Sequence, residues 1–167
     1  MRIRTHSVRE LDKIDRKILG ILQQDARISV TDLAEQVGLS VTPCGERIKR
    51  LEKEGVILGY HARLDPQALE LSLLVFVEIK LSAKSGVIFE NFKREIIKLP
   101  SIQECHLVSG EFDYLIKARI SKMSDYRKLL GEILLTLPGA QESKSYIVME
   151  EVKETLALPL EDTGGKK

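Results

Sequence analysis

The sequence predicts an α+β protein of two small domains: an N-terminal helix-turn-helix and a C-terminal ferredoxin-like domain with the element order βαββαβ. Three observations predict this class. Apolar residues recur at helical spacing in the first third of the chain and alternate strictly from about residue 75. A glycine turn separates two short helices in the first part. Asp65-Pro66 interrupts the chain between the two patterns.

Two helices are predicted first. Apolar side chains at helical spacing predict an amphipathic helix over about residues 11–24. Ser29 followed by Asp32 matches a capping box, so a second, short helix is expected to begin near Val30. Gly38 is placed to end that helix in a left-handed turn, because glycine adopts positive φ without steric cost. This arrangement predicts the first two elements of a helix-turn-helix.

A third helix is expected to begin after Ser40, which is predicted to cap it, and to end at Gly55. Its inner side is formed by the apolar stripe Cys44, Ile48 and Leu51. Residues 56–64 are then predicted to be a short strand-like segment with a kink at Gly59. Together the three helices predict a DNA-binding domain, with the third as its recognition helix.

The second half alternates between strand and helix patterns. The predicted strands are residues 75–81, 102–108, 114–120 and 143–150, and the predicted helices are 86–98 and 124–136. Both helices of such a domain cover one face of an antiparallel sheet, which leaves the other face open. A half-covered sheet of about 85 residues usually buries its second face against another molecule. We therefore expect a homodimer.

The domain organisation follows from these elements. The predicted parts are residues 1–64 as an N-terminal arm and helix-turn-helix domain, 65–72 as a hinge, 73–155 as a ligand-sensing and oligomerisation domain, and 156–167 as a C-terminal tail. The last residues, Leu160 to Lys167, end in Gly-Gly-Lys-Lys and are expected to fray.

Composition narrows the function classes. With 43% hydrophobic and 31% charged residues, the chain has the composition of a globular protein and not of a disordered one. No apolar run approaches the roughly 20 residues of a membrane-spanning helix, and no secretory signal opens the chain. We therefore expect a cytoplasmic, nucleoid-associated protein without membrane contact. Cys44, Cys105 and the three histidines form no metal-binding or catalytic spacing, so no metal and no cofactor are expected.

Any contact with DNA must come from local charge, because the net charge is only +1. The third helix supplies that charge if its apolar stripe faces the domain interior. The predicted DNA-binding side chains are Ser40, Thr42, Pro43, Glu46, Arg47, Lys49, Arg50 and Lys53. Cations suit phosphates and guanine edges, and the helix start suits a phosphate. The opening Arg2, Arg4 and Arg9 could add non-specific contacts as an arm.

The same run of charges also has a plainer interpretation. Glu46, Glu52 and Glu54 interrupt the positive charge of the third helix, as expected for the solvated face of an ordinary three-helix bundle. On the pattern alone, both interpretations of the third helix stay open.

Several segments carry a family resemblance. They are LDKIDRKIL (residues 11–19), LAEQVGLS (33–40), TPC (42–44), ERIKRLEKEGVI (46–57), LVFVEI (74–79), QECHLVSGEFDYL (103–115) and YRKLLGE (126–132). In these segments the chain resembles the Lrp/AsnC family, the feast/famine transcription regulators, over roughly residues 11–155. The resemblance implies a winged-type helix-turn-helix joined to an amino-acid-binding domain. It also implies homodimers that assemble further, commonly into octamers, on double-stranded DNA.

The resemblance further implies an effector site shared by neighbouring subunits. The family's effector positions fall here on Ser109, Gly110, Glu111, Phe112, Asp113, Tyr114, Met123, Leu135, Tyr146, Ile147 and Val148. Asp113 could accept from an ammonium group, and backbone N–H groups near Gly110 could donate to a carboxylate. The apolar members would receive an aliphatic side chain, with leucine the favoured effector. Alternatively, Gly110 and Asp113 only shape a hairpin turn while the apolar residues pack in the core.

Rival functions fit less well. No catalytic set of residues appears, and Cys105 and His106 point to opposite faces of a strand, so an enzyme is not expected. An RNA-recognition module shares the βαββαβ order but needs aromatic residues on its central strands, where Lys117 and Arg119 stand instead. A DNA-binding assembly protein without an amino-acid effector remains the alternative to the regulator.

Overall fold

The computed structural model describes residues 10–160. The predicted arm residues Arg2, Arg4 and Arg9 and the tail residues 161–167 lie outside this range. The chain divides into two compact units. Within the described range, the first unit contains residues 10–62 and 154–160, and the second is Arg63–Lys153. We name them, after the functions that the sequence predicts, the DNA-binding unit and the sensing unit. In the described part, no helix has the length and apolarity needed to cross a membrane.

The DNA-binding unit contains three helices: α1 Lys13–Gln24, α2 Val30–Val37 and α3 Val41–Lys53. A capping box starts α1, because the Asp12 carboxylate accepts from the Asp15 amide while the Asp15 carboxylate accepts from the Asp12 amide. Ser29 caps α2 as predicted, accepting from the Asp32 amide at 3.1 Å. Gly38 ends α2 at φ 75°, which confirms the predicted left-handed turn.

The core of this unit is small. Its buried members are Ile18, Leu33, Ala34, Val37, Cys44 and Leu51, one or more from each helix. The predicted inner stripe of α3 is confirmed, since Cys44 and Leu51 are fully buried and Ile48 packs against the cluster. This packing fixes which side of α3 faces outward.

Two local predictions for this unit need correction. Ser40 occupies the N-cap position of α3, as predicted, but its side chain makes no capping hydrogen bond. Residues 56–64 form no strand, because a strand needs a ladder partner and the described residues of this unit offer none. The backbone of Val56 and Ile57 instead bonds back to the Leu51 carbonyl at the end of α3.

The sensing unit has the predicted βαββαβ order. Its elements are β1 Leu73–Leu81, α4 Gly86–Ile96, β2 Ile102–Leu107, β3 Tyr114–Ile120, α5 Met123–Thr136 and β4 Ala140–Ile147. The strands form one antiparallel sheet in the order β2-β3-β1-β4. This is the ferredoxin-like topology, with the first and third strands in the centre.

One face of the sheet carries the larger core of the protein. Alternate residues of β1 and β3, such as Val77 and Ile116, are fully buried with Phe92 of α4 and Ile133 of α5. The opposite face of β1 presents Phe76, Glu78 and Lys80, which are half-buried or exposed. The predicted asymmetry of the sheet is therefore present.

The last strand lies earlier than predicted, at residues 140–147 instead of 143–150. Pairing begins where Ala140 meets Leu81, directly after Gly139 reverses the chain at φ 80°. It ends at Ile147 because the antiparallel partner β1 begins at Leu73: Val148 still donates to the Leu74 carbonyl, and the described ladder extends no further. The alternation pattern predicted the strand, and the length of β1 set its bounds.

Residues 156–160, the described part of the predicted C-terminal tail, contact α1. Of the residues expected to fray, only Leu160 lies within the described range. The Gln23 side chain exchanges two hydrogen bonds with the backbone of Leu158, and Leu160 approaches Gly20. Both contacts lie within the DNA-binding unit.

Candidate DNA-binding and effector sites

The outward side of α3 presents a stripe of exposed polar side chains. Thr42, Glu46, Lys49 and Lys53 recur at helical spacing on this side, and all four are exposed. Ser40 precedes them and is exposed as well, while Pro43 is half-buried. The structure therefore brings together five of the eight predicted DNA-binding residues on one accessible surface, which we call the α3 stripe: Ser40, Thr42, Glu46, Lys49 and Lys53.

Arg47 and Arg50 do not belong to this stripe, which corrects the predicted outward face of four cations. Arg47 Nη1 donates to Asp12 Oδ2 at 2.6 Å and to Asp15 Oδ1 at 2.7 Å. Arg50 Nη2 donates to both oxygens of Asp15 at 2.6 Å. Only about a quarter of each arginine side chain is exposed, at 25% and 28%. The two guanidinium groups are turned towards α1 because the buried Asp15 needs compensating charge.

This ion-pair cluster changes the ionisation of its members. Burial opposes the charge of Asp12, but hydrogen bonds from the Asp15 amide and from Arg47 outweigh it and lower the pKa of the Asp12 carboxyl. The same hydrogen bonds, from Asp12 first and then Asp15, raise the pKa of Arg47. Both partners therefore stay charged over the neutral range, and α3 is fixed to α1 by charge as well as by packing.

Sequence reasoning missed the cluster although the signal was present. Two acids three residues apart on α1, Asp12 and Asp15, face two arginines three residues apart on α3, Arg47 and Arg50. Matched spacing of opposite charges on two helices of one small domain indicates an interhelical network. Because Arg47 and Arg50 were predicted to contact DNA, their ion pairs with Asp15 were not predicted.

The predicted effector residues divide into two groups at opposite ends of the sheet. The hairpin residues Ser109–Asp113 lie where Asp113 N donates to the Ile79 carbonyl, near the end of β1. Leu135 lies near the end of α5, a few residues before β4 begins at Ala140. Because Ala140 pairs with Leu81, Leu135 also lies near the end of β1.

The second group lies at the beginning of β1. Ile147 pairs with Val75, and Val148 donates to the Leu74 carbonyl. Met123 begins α5 three residues after Ile120, the residue of β3 that pairs with Leu73. Seven residues of strand, roughly 23 Å, separate Leu74 from Leu81. One protomer therefore does not bring the two groups together.

Asp113 and Tyr114 have structural roles within the chain. Asp113 is buried, its Oδ2 accepts from the Leu81 amide at 2.8 Å, and its Oδ1 lies 3.5 Å from Lys84 Nζ. Tyr114 stacks on Phe92 in the core with ring centroids 4.2 Å apart. Burial, followed by nearby negative charge, raises the pKa of Tyr114 to about 12. Tyr114 therefore packs under the sheet and does not line an open site in the described protomer.

The remaining effector candidates are accessible. Met123 is 52% exposed and Leu135 is 89% exposed. Tyr146 and Ile147 are exposed on β4, where the Tyr146 hydroxyl donates to Glu78 Oε1 at 3.0 Å. Ser109, Gly110 and Glu111 are exposed at the hairpin tip, with Phe112 half-buried below them. Apolar surface of this extent on the ends of the sheet and α5 is available to a ligand or to another protomer.

Comparisons with known proteins agree with this architecture. Residues 11–57 match the model of a winged helix-turn-helix DNA-binding domain, and residues 74–158 match the Lrp/AsnC ligand-binding domain. The chain is 57% identical over 147 residues to the leucine-responsive regulatory proteins of Escherichia coli K12 and Salmonella typhimurium, covering 88% of this chain and 90% of each relative.

Solved structures give the same result. A transcriptional regulator of Neisseria meningitidis, determined as a complex with L-methionine, superposes with a TM-score of 0.85 at 36% identity, covering 90% of this chain and 97% of that one. An AsnC-family regulator of Agrobacterium tumefaciens has the same TM-score and identity, with 89% and 97% covered. The chain belongs to the Lrp/AsnC family and is a DNA-binding transcription regulator with an amino-acid ligand-binding domain, not an enzyme.

Proposed function

We propose that this regulator controls genes of amino-acid metabolism by inserting α3 into the major groove of double-stranded DNA. The main support for this proposal is the α3 stripe, which is exposed along the helix. The ion pairs of Arg47 and Arg50 with Asp15 fix the other side of α3 to α1. Lys49 and Lys53 are suited to phosphates or guanine edges, and Thr42 and Glu46 are suited to base edges. The Ser40 hydroxyl makes no capping bond and can bind a phosphate at the helix start.

The roles of the cations can be separated by substitution. DNA fragments selected by the wild-type protein from a random library would be titrated at several salt concentrations. We expect Lys49→Ala and Lys53→Ala each to weaken binding and to reduce the salt slope by about 1, as for the loss of one phosphate contact. Lys98→Ala on the sensing unit, also exposed, is the control with an unchanged slope. Unchanged slopes in both α3 variants would refute the proposed DNA face.

Arg47 and Arg50 are proposed to act on DNA binding mainly through the position of α3. Removing either guanidinium leaves the Asp15 carboxylate undercompensated, so the loss of affinity is expected together with a loss of stability. Lys49→Ala should lower affinity with the melting temperature unchanged. An Arg47→Ala variant that loses affinity at full stability would instead make Arg47 a direct DNA ligand.

We propose that an amino acid binds where the two effector groups of neighbouring protomers meet. The two groups stand at opposite ends of the sheet, so one site containing both needs more than one chain. This favours a homodimer that assembles further, to an octamer or a similar ring, as the binding-competent form. Leucine is the favoured effector, since relatives at 57% identity are leucine-responsive regulatory proteins, and methionine is the first rival, since a similar regulator holds it.

A thermal-shift screen against the twenty amino acids tests the effector. A ligand that binds only the folded protein raises the melting temperature with its concentration. We expect a shift with leucine or another aliphatic amino acid that is reduced in Met123→Ala and retained in Met149→Ala, which removes a 96% exposed methionine. Equal shifts in both variants would remove Met123 from the site.

One observation favours the alternative, a DNA-binding assembly protein without effector. The Asp113 carboxylate already accepts from the Leu81 amide and lies beside Lys84, so its proposed role towards an ammonium group meets internal competition. The absence of any shift in the screen would support this alternative and leave the DNA-binding proposal intact. In either case we propose the cytoplasm, at the nucleoid, as the place of action.

A further inference from the structure

The C-terminal segment, residues 154–160, contacts α1 through backbone hydrogen bonds, as a bound peptide ligand would. The Leu158 amide donates to Gln23 Oε1 at 2.6 Å, and Gln23 Nε2 donates to the Leu158 carbonyl at 3.1 Å. One side-chain amide thus satisfies both polar groups of one backbone residue. Contacts of this kind fix the direction and register of a chain whatever its side chains are.

A leucine completes this contact. Leu160 lines an open groove of about 660 Å³ together with Gly20 and other residues of α1. A Cβ at position 20 would stand at van der Waals distance, 3.9 Å, from Leu160 Cδ1, so Leu160 lies directly against this part of α1.

The same chain is anchored a second time, in the sensing unit. Arg119 of β3 binds the Glu151 carboxylate through both of its terminal nitrogens, at 3.0 and 2.6 Å. The Arg119 side chain is only 6% exposed, so this fork of two charge-assisted hydrogen bonds is largely withdrawn from water. Glu151 stands four residues after Ile147, a predicted effector residue at the end of β4.

Six residues, 152–157, separate the two anchors. Fully extended, the seven steps from Glu151 to Leu158 span at most about 25 Å. We propose that this segment is a second tether between the sensing and DNA-binding units, in addition to the linker that follows α3, and that it transmits a displacement of β4 to α1. The inference rests on the proposed function for the effector, since a bound amino acid at Tyr146–Val148 would move the first anchor.

Hydrogen exchange of the full-length protein, read by mass spectrometry, tests the docking without any ligand. Gln23→Ala removes both bonds to Leu158. Gln24→Ala is the matched control for these bonds, because the exposed Gln24 lines the same groove as Leu160 but the described structure shows no hydrogen bond from it to the segment. We expect exchange of residues 156–160 to accelerate at least about five-fold in Gln23→Ala, the equivalent of one net hydrogen bond, and not in Gln24→Ala. Equal exchange in the two variants would overturn the docking. If the protection of residues 156–160 against exchange falls when the protein is diluted ten-fold, the segment on α1 comes from a second copy of the chain. That result would overturn the tether.

The transmission is tested by DNA affinity with and without 10 mM L-leucine. The wild type and Gln24→Ala should show the same leucine-dependent change in Kd, and Gln23→Ala should lose most of it. A full leucine response in Gln23→Ala overturns the tether even if docking is confirmed. No leucine response in the wild type would count against the proposed effector, while the exchange measurement would still decide the docking.

Discussion

The two units differ in the size of their apolar cores. The sensing unit buries thirteen side chains between its sheet and two helices, whereas the core cluster of the DNA-binding unit has six buried members in its described part. In the smaller unit the buried Asp15 pairs with Arg47 and Arg50, whereas the buried Asp113 and Arg119 of the sensing unit accompany a core twice as large. Because a small domain buries a smaller fraction of its surface, ion pairs between its helices contribute more to fixing how those helices pack. The helix that we propose to face DNA is thus positioned by charged side chains, the same kind of group that we propose to bind DNA.

The largest effect is expected in the sensing unit from Phe92→Ala. Phe92 is fully buried and stacks on Tyr114 at 4.2 Å, so its truncation leaves a cavity and removes the stacking partner. We expect a loss of about 3–5 kcal/mol in the free energy of unfolding. Residue-resolved hydrogen exchange should show the loss in β1, β3 and α4. Equal loss across α1 to α3 would show that the two units do not differ as described.

In the DNA-binding unit, Asp15→Asn should cost nearly as much without creating a cavity. The change keeps the size of the side chain but leaves two guanidinium groups without their shared carboxylate, and Arg50 Nε is already buried without a partner in the described part. The expected loss is about 3 kcal/mol. Glu35→Gln, an exposed acid on α2, is the matched control. Denaturant unfolding followed by helical circular dichroism would show the difference, and equal midpoints for the two variants would contradict the role of the cluster.

The DNA-binding unit should lose part of its stability in acid. The pKa of Asp12 is lowered in the folded protein, so its stabilising contribution is present above the unfolded pKa of about 4 and is lost as pH falls through the folded value. The stability difference between the wild type and Asp12→Asn should therefore vanish on acidification. Melting temperatures between pH 7 and pH 3 measure it. A difference that grows towards pH 3 would have the wrong sign.

The smallest effect is a gain. Gly131 lies inside α5, and a Cβ placed there meets no atom within 4 Å. Gly131→Ala should raise the free energy of unfolding by up to about 1 kcal/mol, since alanine is the better helix former. Thermal unfolding checks this value. A destabilised variant would indicate that this position contacts another protomer.

Much of the fold followed from local chemistry. Ser29 and Gly38 mark the beginning and the end of α2, and strict alternation from Val75 to Leu81 predicted β1. Both were predictable because capping and periodicity depend on residues close in sequence. The features that failed depend on residues distant in sequence. Residues 56–64 lacked a ladder partner, and the Leu158 contact depends on a glutamine 135 positions away.

The candidate sites were less predictable than the fold. The exposed stripe from Thr42 to Lys53 follows from helical period, but the side-chain direction of Arg47 and Arg50 depends on the charges of α1. Similarly, the resemblance named Asp113 as an effector residue, whereas its contact with the Leu81 amide appears only when β1 and the hairpin are placed together. A long side chain with several possible partners is settled by tertiary structure.

We propose that this regulator binds DNA and an amino acid and that each ligand changes the affinity for the other. The most direct measurement is the Kd for selected DNA with and without saturating L-leucine, paired with the Kd for leucine with and without DNA. Linkage requires the same factor in both directions, and we predict a change of at least about five-fold. Tight DNA binding with identical Kd values, for leucine and for every other amino acid, would contradict the account and leave a DNA-binding protein without an amino-acid switch.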